Sequence, residues 1–259
     1  MRTQLRNLFL QVFGSLAKPM PGIHIINGHF VTPNIPSLFD KNIYESFILY
    51  LLDMGCILMH FNQATELIYK KDTPKSKCMV AFSYDDGFEE CYTVIAPLLE
   101  KYNCNAAFFI NANYIESEKS YRTDFHNRIN TFTKKPMTWK QVRELHQRGH
   151  IIGSHTLDHM DLSELNIKQI DFQLKENKYL LEREVNIDCD YFAWPYGQLS
   201  HFSETALEQT QKYHKYIFSA TNYQHYFSLN GQVINRRHIE AFWPHSHIRY
   251  FLSKRLEYE

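Results

Sequence analysis

Residues 79–87 read MVAFSYDDG, an apolar and aromatic run that stops abruptly on two adjacent acids and a glycine. A run that is apolar throughout, rather than at alternate positions, suits a strand covered on both faces. The same kind of run recurs at 23–28 (IHIING), 105–111 (NAAFFIN), 150–154 (HIIGS), 191–194 (YFAW), 216–220 (YIFSA) and 233–239 (VINRRHI). Helical stretches near 41–54, 90–102, 138–148, 163–184 and 203–213 separate them. Thr138 and Gln141 form a capping box that starts a helix just after Pro136, and Gly149 ends it. Strands alternating with helices predict an α/β fold with a parallel sheet. Six or seven such units predict a distorted or incomplete (β/α) barrel of the TIM type, as a single domain. No internal repeat, linker or low-complexity tract interrupts it.

Composition narrows the function. The 28 Lys and Arg cancel the 28 Asp and Glu, so no basic surface points to nucleic acid. Hydrophobic residues are 44% of the chain, enough for a sizeable core and too many for disorder. No apolar run reaches the roughly 18–20 residues of a spanning helix. The five cysteines are scattered without a C-x-x-C pair, so they read as reduced, buried thiols and lean towards a cytoplasmic setting.

Residues 1–21 form a separate piece. Leu5, Leu8, Phe9, Val12, Phe13 and Leu16 fall at helical spacing, with Arg6, Asn7, Gln11 and Ser15 on the other face. This amphipathic helix is expected either to dock on the barrel of residues 22–259 or to lie at a membrane surface. A cleaved signal is the third reading, weakened by Gln11 and the lack of a small-x-small cleavage site.

In barrels of this kind reactive groups gather where strands end. Asp85 and Asp86 follow the 79–84 run; a solvated turn is the plain reading, but paired acids repel unless a cation or shared proton relieves them. Neighbours on a strand point opposite ways, so one acid can hold a metal while the other faces the reacting group. His155 and His159, in GSHTLDH after the 150–154 run, have metal-ligand spacing, although two surface histidines would read the same. Two imidazoles with one carboxylate make a divalent site with open positions. In FAWPYGQ (192–198), Pro195 and Gly197 enforce a tight turn that frees a backbone N–H, or simply packs aromatics.

The set SYDDG, HTLDH, FAWPYG, in this order, resembles the polysaccharide deacetylases, the NodB-homology group of carbohydrate esterase family four. The resemblance extends over most of residues 22–240 and implies a distorted (β/α) barrel. It also implies a metal-dependent hydrolase that removes an N-acetyl or N-formyl group from an amino sugar or sugar polymer. The implied metal ligands are Asp86, His155 and His159, holding zinc, with cobalt or nickel as alternatives. The implied general base is Asp85, and the Tyr196 N–H would hold the oxyanion. Ala193 stands near where many members carry an arginine that orients the base, so Arg236 or Arg237 is expected to do so here. No late L-x-H segment supplies the acid. His29, in INGHFV, resembles the early histidine of the poly-N-acetylglucosamine deacetylase branch and is the expected general acid, with His238 as runner-up. A packed core histidine is the plain reading of His29.

Other residues carry weaker signals. His245 and His247 read as surface residues, and Trp194 is the best of three tryptophans for stacking on a sugar. The implied setting is surface-polysaccharide metabolism on the cytoplasmic side, with a secreted enzyme as the alternative. Two other classes compete: a catalytically inactive carbohydrate-binding barrel and a divalent-metal phosphohydrolase, which would prefer all-oxygen coordination.

Overall fold

The apolar runs pair side by side in a computed structural model that describes residues 2–32, 40–131, 134–221 and 224–258. The strands are β1 Gly22–Gly28, β2 Ile57–Leu58, β3 Cys78–Tyr84, β4 Ala106–Ile110 and β5 Ile151–Ser154. They continue with β6 Tyr191–Ala193, β7 Tyr216–Ser219, β8 Phe227–Ser228, β9 Val233–Asn235 and β10 Arg237–His238. The sheet runs β10-β1-β3-β4-β5-β6-β7-β9-β8, with β2 on β3, and its strand pairings are parallel except β8 with β9. The expected 233–239 run splits at Arg236: its first half pairs with β7 and its second half with β1. One stretch of chain thus joins both ends of the sheet and rolls it into a distorted (β/α) barrel.

Nine helices among the described residues surround it: α1 Arg2–Leu16, α2 Asp40–Asp53, α3 Phe61–Tyr69, α4 Ala96–Lys101, α5 Lys119–Arg128, α6 Trp139–Gln147, α7 Ile167–Val185, α8 Glu204–Thr210 and α9 His245–Leu252. The capping box at Thr138 and Gln141 is in place, and Gly149 ends α6 with φ +89°. Helices α3 and α5 are absent from the sequence reading. The first is only nine residues long, yet it buries Phe61, Ala64, Thr65 and Ile68 at helical spacing. The second is polar and buries only Phe125 and His126, so it has no apolar stripe to read.

Strand alternation sorts the core. Ile23 and Ile25 of β1, Ala81 of β3, Ala107 and Phe109 of β4 and Phe218 of β7 pack together inside the barrel, where Phe61 joins them. Ile26, Val80, Phe82, Ala106 and Phe108 face outward into the layer beneath the helices. The inward file of β3 therefore runs 79, 81, 83 and, past the strand end, 85.

Helix α1 docks, but not on its apolar face. Among its described side chains and glycine, Leu10 and Gly14 are buried, and the helix lies along α9. A β-carbon at Gly14 would come within 1.9 Å of the Ser246 carbonyl oxygen, so glycine permits this close approach. Leu5, Leu8, Phe9, Val12, Phe13 and Leu16 stay 45–84% exposed. No helix among the described residues is long and apolar enough to cross a membrane.

Candidate active site

Asp85 continues the inward file of β3 and enters the barrel, where its carboxylate meets Arg236. The guanidinium donates from Nη1 to Oδ1 at 2.7 Å and from Nη2 to Oδ2 at 2.9 Å. Its Nε donates to the Ser219 carbonyl, Nη1 also reaches Ser83 Oγ at 3.2 Å, and its Cζ lies 4.8 Å from the centroid of the Phe109 ring. Both partners are buried. Burial alone would raise the Asp85 carboxyl, but the Arg236 charge and hydrogen bonds bring it down to about 2. Of the two arginines expected to orient this acid, Arg236 does so. Arg237 points the other way, towards the carbonyls of Phe251 and Lys254.

Asp86 departs from the alternation. Its φ of +78° turns the side chain to the histidines instead of the outer layer. Its Oδ1 lies 3.6 Å from His155 Nε2 and 3.4 Å from His159 Nε2, and it is buried with no hydrogen-bond partner. A tetrahedral ion with ligands at about 2.0–2.1 Å spaces them about 3.3 Å apart, so this set has the separation of metal ligands rather than of hydrogen bonds. His155 Nδ1 donates to the Ala193 carbonyl at 2.7 Å, which leaves the Nε2 lone pair facing Asp86. Burial lowers His155 to about 4 and holds His159 well below its usual range, so both imidazoles are neutral at neutral pH, the form that can ligate a metal. The same burial, with the charges of Asp85 and Glu240, lifts Asp86 to about 7, as expected of a carboxylate placed for a cation. The orphaned oxygen and the two-imidazole donor set fit a divalent ion.

The loop before His159 is strained and held. Thr156 has φ +65° and His159 φ +55°. Between them Asp158 accepts from Asn113 Nδ2 (2.8 Å), Tyr121 Oη (2.6 Å) and Gln173 Nε2 (2.8 Å). Three separate elements so fix the residue next to His159, a device no spacing rule reveals.

Across the cleft, a second set gathers on Glu240. His29 Nδ1 lies 2.7 Å and His238 Nε2 3.0 Å from the same oxygen, Oε1, and the His29 N–H donates to Oε2 at 3.3 Å. These are hydrogen-bond distances, so this set holds protons. Burial pulls His29 down, but the Glu240 hydrogen bond and charge prevail and raise it to about 9. Glu240, which burial would raise, falls to about 2 through its hydrogen bonds to His238 and His29. Glu240 escaped the sequence reading, although it stands two residues after His238 and so on the same face of an extended chain.

Tyr196 lies at the turn before Gly197 with φ +64°. The turn's hydrogen bonds run from Gly197 N–H to the Trp194 carbonyl and from Ala220 N–H to the Gly197 carbonyl, leaving the Tyr196 N–H outside them. The Tyr196 ring packs edge-on against His159 at 4.8 Å. Trp194 does not face a ligand: it is fully buried, stacks on Phe202 at 4.2 Å and donates to the Gln198 carbonyl. Trp139 packs against the core, and it is Trp243 that lines the cleft. His245 is exposed and stacks on Tyr50. The cleft, about 310 Å³, is bordered by His29, Asp86, His159, Tyr196, His238 and Trp243, at the end of the barrel where strands finish. A larger one of about 640 Å³ opens at the other end, beside Gly22 and Lys75, and includes none of the acid–histidine clusters.

A mainly parallel barrel with an acid–imidazole donor set and a buried, arginine-held aspartate at its strand ends has the architecture of a (β/α) barrel with a candidate metal site. The polysaccharide deacetylase family model matches residues 72–216, and the chain belongs to that family. Relatives include the Bacillus subtilis protein YxkH, 25% identical over 170 residues (66% of this chain, 55% of that protein). Another is the peptidoglycan-N-acetylglucosamine deacetylase of Bacillus cereus, 25% identical over 140 residues (54% of this chain, 44% of that protein). The chain spans about half the length of the curated relatives it matches. Among solved structures, IcaB from Ammonifex degensii shares the fold with a TM-score of 0.70 at 17% identity, covering 92% of this chain and 99% of that one. The Streptococcus pyogenes deacetylase PplD, in complex with acetate, does so with a TM-score of 0.67 at 20% identity, covering 91% and 99%.

The Arg236–Asp85 pair generates a stability prediction. Arg236→Met leaves a buried carboxylate without its partner and should cost about 3–5 kcal/mol in denaturant unfolding. Adding Asp85→Asn should restore much of that loss. Additive losses in the double variant would rule out the pair as the cause.

Proposed function

We propose that the chain hydrolyses the N-acetyl or N-formyl group of an amino sugar or sugar polymer, in surface-polysaccharide metabolism. The observation that carries this reading is the Asp86–His155–His159 set at metal-ligand separation beside the arginine-held Asp85. The Bacillus cereus relative, named for deacetylation of peptidoglycan N-acetylglucosamine, supports the substrate class.

The proposed division of the chain is a helical extension over residues 1–21 and a barrel over 22–259. Asp86, His155 and His159 would hold a divalent ion, zinc in our reading and cobalt or nickel as alternatives, which would supply Lewis-acid charge for the acyl carbonyl and the attacking water. Asp85, kept ionised and aimed by Arg236, takes the proton of the attacking water. The Tyr196 N–H donates to the oxygen on which negative charge develops. His29, charged at neutral pH through Glu240, donates its proton to the departing nitrogen, which cannot leave as an anion. Trp243 and Tyr196 flank the sugar in the cleft.

Release of acetate or formate from N-acylated glucosamine oligomers, by protein stripped with a chelator and reloaded with zinc, cobalt or nickel, tests this reading. Asp85→Asn should lower the rate at least about a hundredfold while the ion stays bound. A bound ion with an unchanged rate would refute the assigned base. His29 must be protonated to act, so the rate should fall as pH rises through about 9. Glu240→Gln removes the largest of the influences that raise His29 and leaves its burial, so the alkaline limb should move to lower pH. An unmoved limb would transfer the acid role away from His29.

The exposed apolar residues of α1, with exposed Arg6 and Lys18 beside them, support peripheral contact with a membrane. The five free, buried thiols support the cytoplasmic side. Co-sedimentation with anionic phospholipid vesicles should fall sharply in Phe13→Asp; equal binding by both proteins would remove α1 from that role.

A further inference from the structure

Cys56 and Cys78 lie away from the cleft, where β2 meets the first half of β3. Ile57 pairs with Met79 and Leu58 with Val80 in parallel register, so the two preceding residues, Cys56 and Cys78, are cross-strand neighbours. Their sulfurs are 3.4 Å apart, and both side chains are buried. Neighbouring strands sit about 4.8 Å apart, inside the range of about 4.4–6.8 Å between α-carbons that a disulfide spans. The S–S bond needs about 2.05 Å, a distance that side-chain rotation can close without moving the strands. The thiol of Cys104 is directed at the Met59 carbonyl, and that of Cys189 at the Tyr191 carbonyl.

We propose that Cys56 and Cys78 are a disulfide-forming pair, open in a reducing compartment and closed by a small-molecule disulfide such as oxidised glutathione. The thiolate of one cysteine attacks a sulfur of oxidised glutathione, forming a mixed disulfide and expelling one glutathione thiolate. The neighbouring cysteine, once deprotonated, attacks the protein sulfur and expels the second. Two electrons pass from the cysteine pair to glutathione, and the two thiol protons end on the two glutathione thiols.

Access comes from the same place as the geometry. Strand β2 is only two residues long, pairs with β3, and its Ile57 is 38% exposed, so a small local opening uncovers Cys56. The closed bond joins the residue before β2 to the first residue of β3 and closes a loop over residues 57–77 that contains α3. Phe61 of α3 packs inside the barrel, and β3 carries Asp85 beyond its far end, so the cross-link ties the floor of the barrel to the strand that delivers the acids.

The full chain, incubated with oxidised glutathione, alkylated under denaturing conditions and digested without reductant, gives the test by mass spectrometry. The expected result is one cross-linked peptide pair joining Cys56 to Cys78 with the loss of two hydrogens, while Cys91, Cys104 and Cys189 remain alkylated. Dithiothreitol should restore both thiols, and Cys78→Ser should yield no cross-link to Cys56. Full alkylation of both cysteines after oxidation, a stable glutathione adduct on either, or a cross-link to another cysteine would overturn the proposal. The unsubstituted chain decides the matter even if a serine variant folds poorly.

Discussion

The rest of the site depends on the buried ion pair between Asp85 and Arg236. Two charges removed from water are tolerated only when geometry and hydrogen bonding are complete. Here the fork of the guanidinium covers both carboxylate oxygens, its Nε is satisfied by the Ser219 carbonyl, and the cation sits over the Phe109 ring. The position is as telling as the contacts. Arg236 is the single residue between β9, which pairs with β7, and β10, which pairs with β1. The pair therefore ties the strand carrying the acids to the point where the sheet closes on itself.

With Asp85 held inward, Asp86 needs an unusual backbone to reach the histidines, and the left-handed φ at Asp86, Thr156, His159 and Tyr196 concentrates strain in one place. Such conformations persist only where surrounding contacts over-determine them. The three donors on Asp158 and the Ala193 carbonyl on His155 are contacts of that kind.

Two carboxylates each collect two imidazoles in the cleft, yet they suit different chemistry. Around Asp86 the nitrogens stand 3.4 and 3.6 Å from the oxygen without bonding to it. Around Glu240 they stand 2.7 and 3.0 Å away and share protons with it. Each set combines one carboxylate with two imidazoles; under one ångström of spacing separates a set that fits a cation from one that shares protons. A charged His29 facing neutral His155 and His159 follows from that difference, because Glu240 is ionised beside the first while burial governs the other two.

The strand runs, the strand-end acids and histidines, and the W-P-Y-G turn were legible in the sequence because each is a local pattern: apolar runs, polar residues just past them, a Pro–Gly bend. So was the family. But a loop with positive φ at Thr156 and His159, not a helical turn, brings the two histidines together. Alternation could also have singled out Arg236, since 234, 236 and 238 share a face and Ile234 belongs to the interior. What only the tertiary structure decided were pairings between distant segments: Glu240 with His29, Asp158 with its three donors, Cys56 with Cys78. It also buried Trp194 and left Trp243 at the cleft, and it turned the apolar face of α1 outward by seating Gly14 on Ser246. The physical reason is the same in each case. Local sequence sets backbone preference and period, whereas which distant side chains share a buried volume is set by how the sheet closes.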